Sequence, residues 1–223
     1  MVDEETHRDE MTGLATHRAF QQAFDEATAR AEQEGARVSL AIADIDWFGK
    51  LNAEHGEKAG DEAIRTVARH LVAATAGRGE LFRVGGEEFA AILYGTEKED
   101  AFLLAETARS AFDAANPHAL AADGGEAAIA FTFSTGIATY PDDGTRARDV
   151  VRKADEALYR AKETGRNRVC LAREERMVTK TSYYTQSQLE RLERLAKREG
   201  GGEAVLLREA LDDLLRKYLV REV

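Results

Sequence analysis

The 223-residue chain carries 31 Lys and Arg against 41 Asp and Glu, a net charge near −10. Any anionic ligand must therefore be met by a local cationic patch or by metal ions that override the global field. The length allows one large and one small domain, and the first is long enough for a substantial core. No run approaches the ~18 apolar residues of a membrane span and no signal peptide opens the chain, so the expectation is a cytoplasmic protein with no membrane partner. A lone Cys170 excludes a disulfide framework and reads as a small buried hydrophobe.

Along the chain, Phe20, Phe24 and Ala27 recur at helical spacing and predict a helix over 16–35 that ends at Gly35. A strand over 37–45 follows, then a helix over 57–75, a hairpin of strands 80–84 and 88–94, and a helix over 98–115. Residues 127–139 alternate as a strand, 145–164 form a helix stopping at Gly165, and 168–171 close the set. Helices over an antiparallel-rich sheet predict a two-layer α+β domain. This domain spans residues 1–172.

Residues 173–176 are a charged linker, and a different unit follows over 177–223. It holds nine Lys and Arg against eight Asp and Glu, near +1, whereas residues 1–176 hold 22 against 33, near −11. A β-prone run over 177–184 precedes Thr185 and Ser187, both helix-cap candidates. An amphipathic helix carries Leu189, Leu192 and Leu195, and Gly200, Gly201 and Gly202 break the chain. A second helix from Glu203 gathers Leu206, Leu207, Ala210, Leu211, Leu214, Leu215 and Tyr218 on one face.

Chemistry concentrates at two acidic points. Residues 81–93 are two apolar runs pinched at Gly85-Gly86, with Glu87 and Glu88 just after the turn. Gly-Gly is a hairpin signal because both residues can take positive φ, and glycine also lets a bulky ligand approach the backbone. Upstream, the apolar strand from Val38 to Ile45 runs straight into Asp44 and Asp46. Acids at the end of a buried strand are costly without a cation beside them. Two such strand ends on one sheet edge suit a hard divalent ion such as Mg²⁺, which shares oxygen ligands with phosphates. The local alternatives are solvated tip glutamates and Asp44 as the N-cap of a segment starting at Trp47.

Six ordered motifs then bear on the family: Asp9-Glu-Met-Thr-Gly-Leu14, Asp44-Ile-Asp-Trp-Phe48, Asn52 with Gly60-Asp61, Gly85-Gly-Glu-Glu-Phe89, Ser134-Thr-Gly-Ile-Ala138, and Ala154 through Asn167 with Lys162 and Arg166. In order and spacing these resemble the GGDEF-type diguanylate cyclases, in the Gly-Gly-Glu-Glu-Phe variant. The resemblance covers residues 9 to about 171. It implies a nucleotidyl cyclase or polymerase palm-like fold and a homodimer holding one GTP per protomer. Each 3′-hydroxyl then attacks the other nucleotide's α-phosphate to give cyclic di-GMP and pyrophosphate. It also implies two Mg²⁺ or Mn²⁺ ions per half-site on Asp44, the Ile45 carbonyl and Glu87, with Glu87 and Glu88 as the catalytic carboxylates. Asn52 and Asp61 match the guanine-reading positions, Lys162 and Arg166 the phosphate-gripping pair, and Phe48, Lys50, Gly85 and Gly86 line the substrate. Read without the family, Asn52 is a helix-terminal residue, Asp61 an N-cap, and Lys162 and Arg166 balance charge at a helix C-terminus.

The pattern also departs from the family. Gly49 replaces the phosphate lysine that follows the Asp-x-Asp-x-Phe stretch, although Lys50 is next door; Ala53 follows Asn52, and Thr16-His17 stands where Asn-Arg is usual. The Arg-x-x-Asp of the inhibitory product site falls at residues 76–79, which read Ala-Gly-Arg-Gly. That feedback site is expected to be absent.

Strand, helix, glycine turn and helix in about 47 residues resembles the ribbon-helix-helix (β-α-α) domains of small bacterial DNA-binding regulators. Such a unit is expected to be an intertwined dimer, because alone it cannot bury its apolar faces. The resemblance would place Thr179, Thr181 and Tyr183 against DNA bases, although the near-neutral tail offers few phosphate contacts. The competing reading is a DNA-binding regulator whose weakened GGDEF domain senses GTP or a cyclic dinucleotide.

Overall fold

The computed structural model describes residues 8–122, 124–173 and 184–199, and beyond these 202–204, 206, 207, 210, 211 and 214. Two compact units divide the chain, Met1–Glu175 and Arg176–Val223. The first runs β1 (Ala15–Thr16), α1 (His17–Glu34), β2 (Val38–Ile45), α2 (Phe48–His55), α3 (Glu57–Thr75), β3 (Gly79–Arg83), β4 (Glu88–Tyr94), α4 (Lys98–Ala114), β5 (His118–Ala122), β6 (Gly125–Ile129), β7 (Phe133–Tyr140), α5 (Ala147–Glu163) and β8 (Val169–Leu171). Six strands form one sheet in the order β1-β3-β4-β2-β7-β8, and β5 and β6 pair apart from it. The central strand β2 is antiparallel to both β4 and β7.

Every residue of β2 and β7 is buried. A sheet with one wet face would alternate, so unbroken burial means that both faces are covered. Leu40 and Ile42 pack with Phe20 and Phe24 of α1 and with Val150, Ala154 and Leu158 of α5. Their neighbours on the opposite side, Ala43 and Ile45, meet Ile64, Val67 and Leu71 of α3, while Ala41 meets Ala101 of α4. The domain therefore has three layers, not the expected two. At Gly136 of β7 the α5 backbone lies directly against the sheet. A Cβ there would lie 2.1 Å from the Ala154 carbonyl oxygen and 2.2 Å from the Leu158 nitrogen.

Helix α1 ends as predicted at Gly35, which takes φ 63° and donates its N–H to the Ala31 carbonyl. The strand predicted over 127–139 is two elements, β6 and β7, and β6 belongs to a separate hairpin with β5. The run His118-Ala-Leu-Ala-Ala122 has no β-branched residue to announce a strand. Cys170 in β8 is half-buried, not a core residue.

In the second unit, α6 (Gln186–Glu199) starts in a reciprocal cap. The Gln188 N–H donates to Thr185 Oγ1 at 3.3 Å, and the Thr185 N–H donates to Gln188 Oε1 at 2.9 Å. Thr185 is thus the cap, and Ser187 sits inside the helix. Glu203, Ala204, Leu206, Leu207, Ala210, Leu211 and Leu214 are also helical. Leu189, Leu195, Leu207, Leu211 and Leu214 are exposed. Of the strand predicted over 177–184, all but Tyr184 lies outside the described residues, as do Thr179, Thr181, Tyr183, Leu215 and Tyr218.

Candidate active site

The sheet register sets Asp44, near the end of β2, opposite Glu88 on β4 and opposite Ser134 on β7. One residue on, the Ile45 N–H reaches the Glu87 carbonyl at 3.4 Å. Main-chain pairing therefore fixes the two acidic strand ends side by side. The Asp44 side chain is only 5% exposed. Burial pushes its carboxyl up to about 6; the Lys162 ammonium opposes this, and the charges of Glu87 and Glu88 add to it. Lys162 Nζ lies 2.6 Å from Asp44 Oδ1, which has no hydrogen-bonded partner besides this ammonium. The charges of Glu87 and Glu88 act on Asp44 against the single ammonium, a local excess of negative charge on hard oxygen donors whose chemistry suits a divalent cation. Among the described residues, no three such side chains are already gathered closely enough to hold a metal ion.

The hairpin turn closes with the Val84 and Gly85 N–H groups both donating to the Glu88 carbonyl, at 3.0 and 3.3 Å. Neither Gly85 nor Gly86 has positive φ, so the turn does not use the glycine freedom that the sequence suggested. Gly85 instead lies close against the Glu88 side chain. A Cβ there would come 2.5 Å from Glu88 Oε2.

Asn52 lies inside α2, whose N-cap is Trp47 in the left-handed region, and Asp44 stays in the strand. Asp61 lies within α3, whose N-cap is Gly56. Neither Asp44 nor Asp61 is therefore the helix cap that local chemistry allowed. The buried Asn52 Oδ1 has no hydrogen-bond partner, and Gly60 lies directly against it. A Cβ on Gly60 would sit 1.8 Å from that oxygen. Asp61 follows Gly60 directly in the chain.

Residues 6–168 match the family described as "Diguanylate cyclase, GGDEF domain". The chain belongs to the GGDEF family. It is 34% identical over 165 residues to the diguanylate cyclase DgcP of Pseudomonas aeruginosa, covering 74% of this chain and 24% of that protein. It is likewise 34% identical over 161 residues to the response regulator PleD of Caulobacter vibrioides, covering 72% and 35%. The chain thus spans about a quarter to a third of the length of these two relatives. Among solved structures, the GGDEF domain of DgcB from Caulobacter crescentus, in complex with c-di-GMP, superposes with TM-score 0.70 at 34% identity, covering 78% of this chain and 97% of that one. The active GGEEF domain of a diguanylate cyclase from Vibrio cholerae gives TM-score 0.65 at 31% identity, covering 73% and 99%.

Within this GGDEF domain the other sequence candidates separate. Phe48 packs against the core beside α3. Lys50 is exposed and pairs with Glu54 of its own helix at 3.7 Å. Lys162 occupies the last turn of α5, while Arg166 lies beyond the helix end, at φ 61°.

Asp46 leaves the acidic cluster altogether. It is 2% exposed and accepts from the Thr132 hydroxyl at 2.6 Å, the Ser134 hydroxyl at 2.7 Å and the Asn167 N–H at 2.9 Å. It acts as a pin between β2, β7 and the loop after α5. Three further residues carried no role in the sequence reading. Arg109 of α4 donates to Asn167 Oδ1 at 2.8 Å. Arg83 holds Asp9. Asp155 on α5 feels Glu88: desolvation first, then the charges of Glu88 and Glu156, push its carboxyl up to about 6. Arg83 stands directly before Val84-Gly85-Gly86, a position that could have drawn attention. The others give no local signal.

Proposed function

We propose that residues 1–172 form a diguanylate cyclase domain that joins two GTP molecules across a homodimer into cyclic di-GMP. The observation that carries this is the register pairing of buried Asp44 with Glu88, with Lys162 of α5 on the Asp44 carboxylate and the Glu87 carbonyl against the Ile45 N–H. A divalent ion, Mg²⁺ or Mn²⁺ at two per half-site, would be held by Asp44, the Ile45 carbonyl and Glu87; it would lower the pKa of the 3′-hydroxyl and neutralise phosphate charge. The protein's own groups do the rest. Glu87 or Glu88 accepts the 3′-hydroxyl proton as that oxygen bonds to the partner nucleotide's α-phosphorus. The bond from that phosphorus to the bridging oxygen breaks, and pyrophosphate leaves. Lys162 and Arg166 bind the phosphates, and the space at Gly85 and Gly86 admits them.

Base choice rests on Asn52 and Asp61. A carboxylate accepts from guanine N1–H and the 2-amino group, which adenine lacks, so a site built this way can discriminate by about 10⁴-fold. The buried, unpartnered Asn52 Oδ1 supports this reading, because such an acceptor is costly until a donor arrives.

The unit over 177–223, after the linker 173–176, is read as a ribbon-helix-helix-like dimeriser in a cytoplasmic protein. The exposed leucines of α6 and of the helical residues after Gly202 support a second copy of the chain there, with DNA contact through Thr179, Thr181 and Tyr183 as its regulatory extension. Truncation after Leu171 should leave a folded domain that is slow at nanomolar concentration, because the linked dimer supplies roughly millimolar effective concentration. At the family's product site, Arg78 shares a surface groove with Glu80 and Asp100, and these acids disfavour an anionic dinucleotide. Little product inhibition is expected.

Incubating the purified chain with GTP or ATP and Mg²⁺, then separating the products, tests the proposal. Cyclic di-GMP and pyrophosphate from GTP alone support it, and equal consumption of ATP would remove the guanine assignment.

A further inference from the structure

Among the described residues, three that are not glycine have positive φ: Trp47 at 59°, Arg166 at 61° and Asn167 at 45°. All three meet at one place. Side chains on such backbone are strained, and strain persists only where its surroundings over-determine it. Here the surroundings are specific. Asp46, next to Trp47, holds the Asn167 N–H at 2.9 Å, and Arg109 holds the Asn167 side chain. The Arg166 N–H donates to the Ala161 carbonyl at 2.9 Å. Trp47 caps α2, its carbonyl accepting from the Leu51 N–H at 3.0 Å. Between these anchored backbones, the Arg166 guanidinium carbon lies 3.6 Å from the centroid of the Trp47 ring.

The Trp47 side chain is not core. The residue is 62% exposed, and its ring has Arg166 as its cation. Stacking covers one face of a guanidinium and leaves its in-plane N–H groups available for oxygens. Arg166 Nη1 donates to the Lys162 carbonyl at 3.2 Å. Nε and Nη2 make no hydrogen bond among the described residues.

We infer that Trp47 is a positioning residue: its indole holds the Arg166 guanidinium edge-on for the phosphates of the nucleotide, so that little side-chain freedom remains to be lost on binding. The inference rests on the GTP reading above. Its chemistry is local to this chain, because a small or aliphatic residue at 47 would leave Arg166 a free, solvated side chain on the same loop.

Trp47 is the chain's one tryptophan, so its emission reports the stack directly. Without nucleotide, Arg166→Ala should shift or intensify the emission while the far-ultraviolet dichroism stays unchanged. Identical emission would show that no stack exists and would overturn the inference. Binding is then measured by calorimetry with Mg²⁺ and 3′-deoxy-GTP, which lacks the attacking hydroxyl, and with guanosine. Trp47→Ala should weaken 3′-deoxy-GTP by about 5- to 30-fold, the range expected for a partly desolvated cation–π contact. It should leave guanosine unchanged, and Trp47→Phe should recover most of the loss. Equal weakening of both probes, or no weakening of either, overturns the inference and leaves the GTP reading standing. A wild-type chain that binds neither probe removes both.

Discussion

Arg83 Nη1 lies 2.9 Å from each carboxylate oxygen of Asp9, tying the segment before β1 to the strand that leads into the acidic hairpin. The rest of the Arg83 guanidinium donates to the Gly86 carbonyl at 3.2 and 2.6 Å. One side chain thus braces the turn that carries Glu87.

Partial burial raises the Asp9 carboxyl, but hydrogen bonds from Thr12 and Arg83 outweigh it and hold the group below the usual carboxylate range. A depressed carboxylate stabilises the fold fully above its unfolded pKa, and that stability is lost as pH falls through the folded value. Arg83→Ala should therefore cost about 1–3 kcal/mol at pH 7. Urea unfolding from pH 7 to 3 should show the gap to wild type narrowing below about pH 4.

Two glycines separate fold from recognition. Gly136→Ala would drive a Cβ into backbone at 2.1 and 2.2 Å, and rigid backbone cannot yield. It should cost about 3 kcal/mol or more. For Gly60→Ala the three nearest atoms all belong to the Asn52 side chain, which can rotate. Its melting temperature should move little while KM for GTP rises roughly tenfold or more, as expected when a polar contact is lost.

His118 sits in an aromatic cluster, its ring centroid 4.0 Å from that of Phe112. Burial, with His70 nearby, lowers its pKa from the usual 6.5. The folded state thus prefers the neutral ring, and stability should fall as pH drops below about 6.5. His118→Phe should flatten the dependence of Tm on pH between 7.5 and 5.

Gly49 has open space around its Cβ position and ordinary φ, so the backbone there accepts a side chain such as the lysine usual in the family. Lys50 pairs with Glu54 on the exposed side of α2 at 3.7 Å, a contact that competes with any role at the phosphates. Gly49→Lys should raise kcat/KM for GTP several-fold, whereas Lys50→Ala should leave it within about twofold. Steady-state pyrophosphate release measures both.

How much of this could be read beforehand depended on chain distance. Phe20, Phe24 and Gly35 announced α1 through local periodicity and a local stop. Asp44 and Glu87 stood out because each ends an apolar run with a charge. Asp46 looked like a third member of that cluster, yet its fate was decided by Thr132, Ser134 and Asn167, which lie 86 to 121 positions away. The third layer was missed for a related reason: nothing local in Val38–Ile45 says whether one or both faces are covered. Gly85 drew attention for its φ and for ligand access, whereas its φ is ordinary and the Glu88 side chain lies against it. The left-handed Trp47 and Arg166 have no local signature at all.

The most direct test of the central claim is cyclic di-GMP formation from GTP and Mg²⁺ by the wild type, Asp44→Ala and Glu87→Ala at matched, verified folding. The account predicts product from the wild type and a loss of roughly 10³-fold or more in each variant, since each removes a charged group at the reacting phosphates. Product formed equally by all three chains would contradict it.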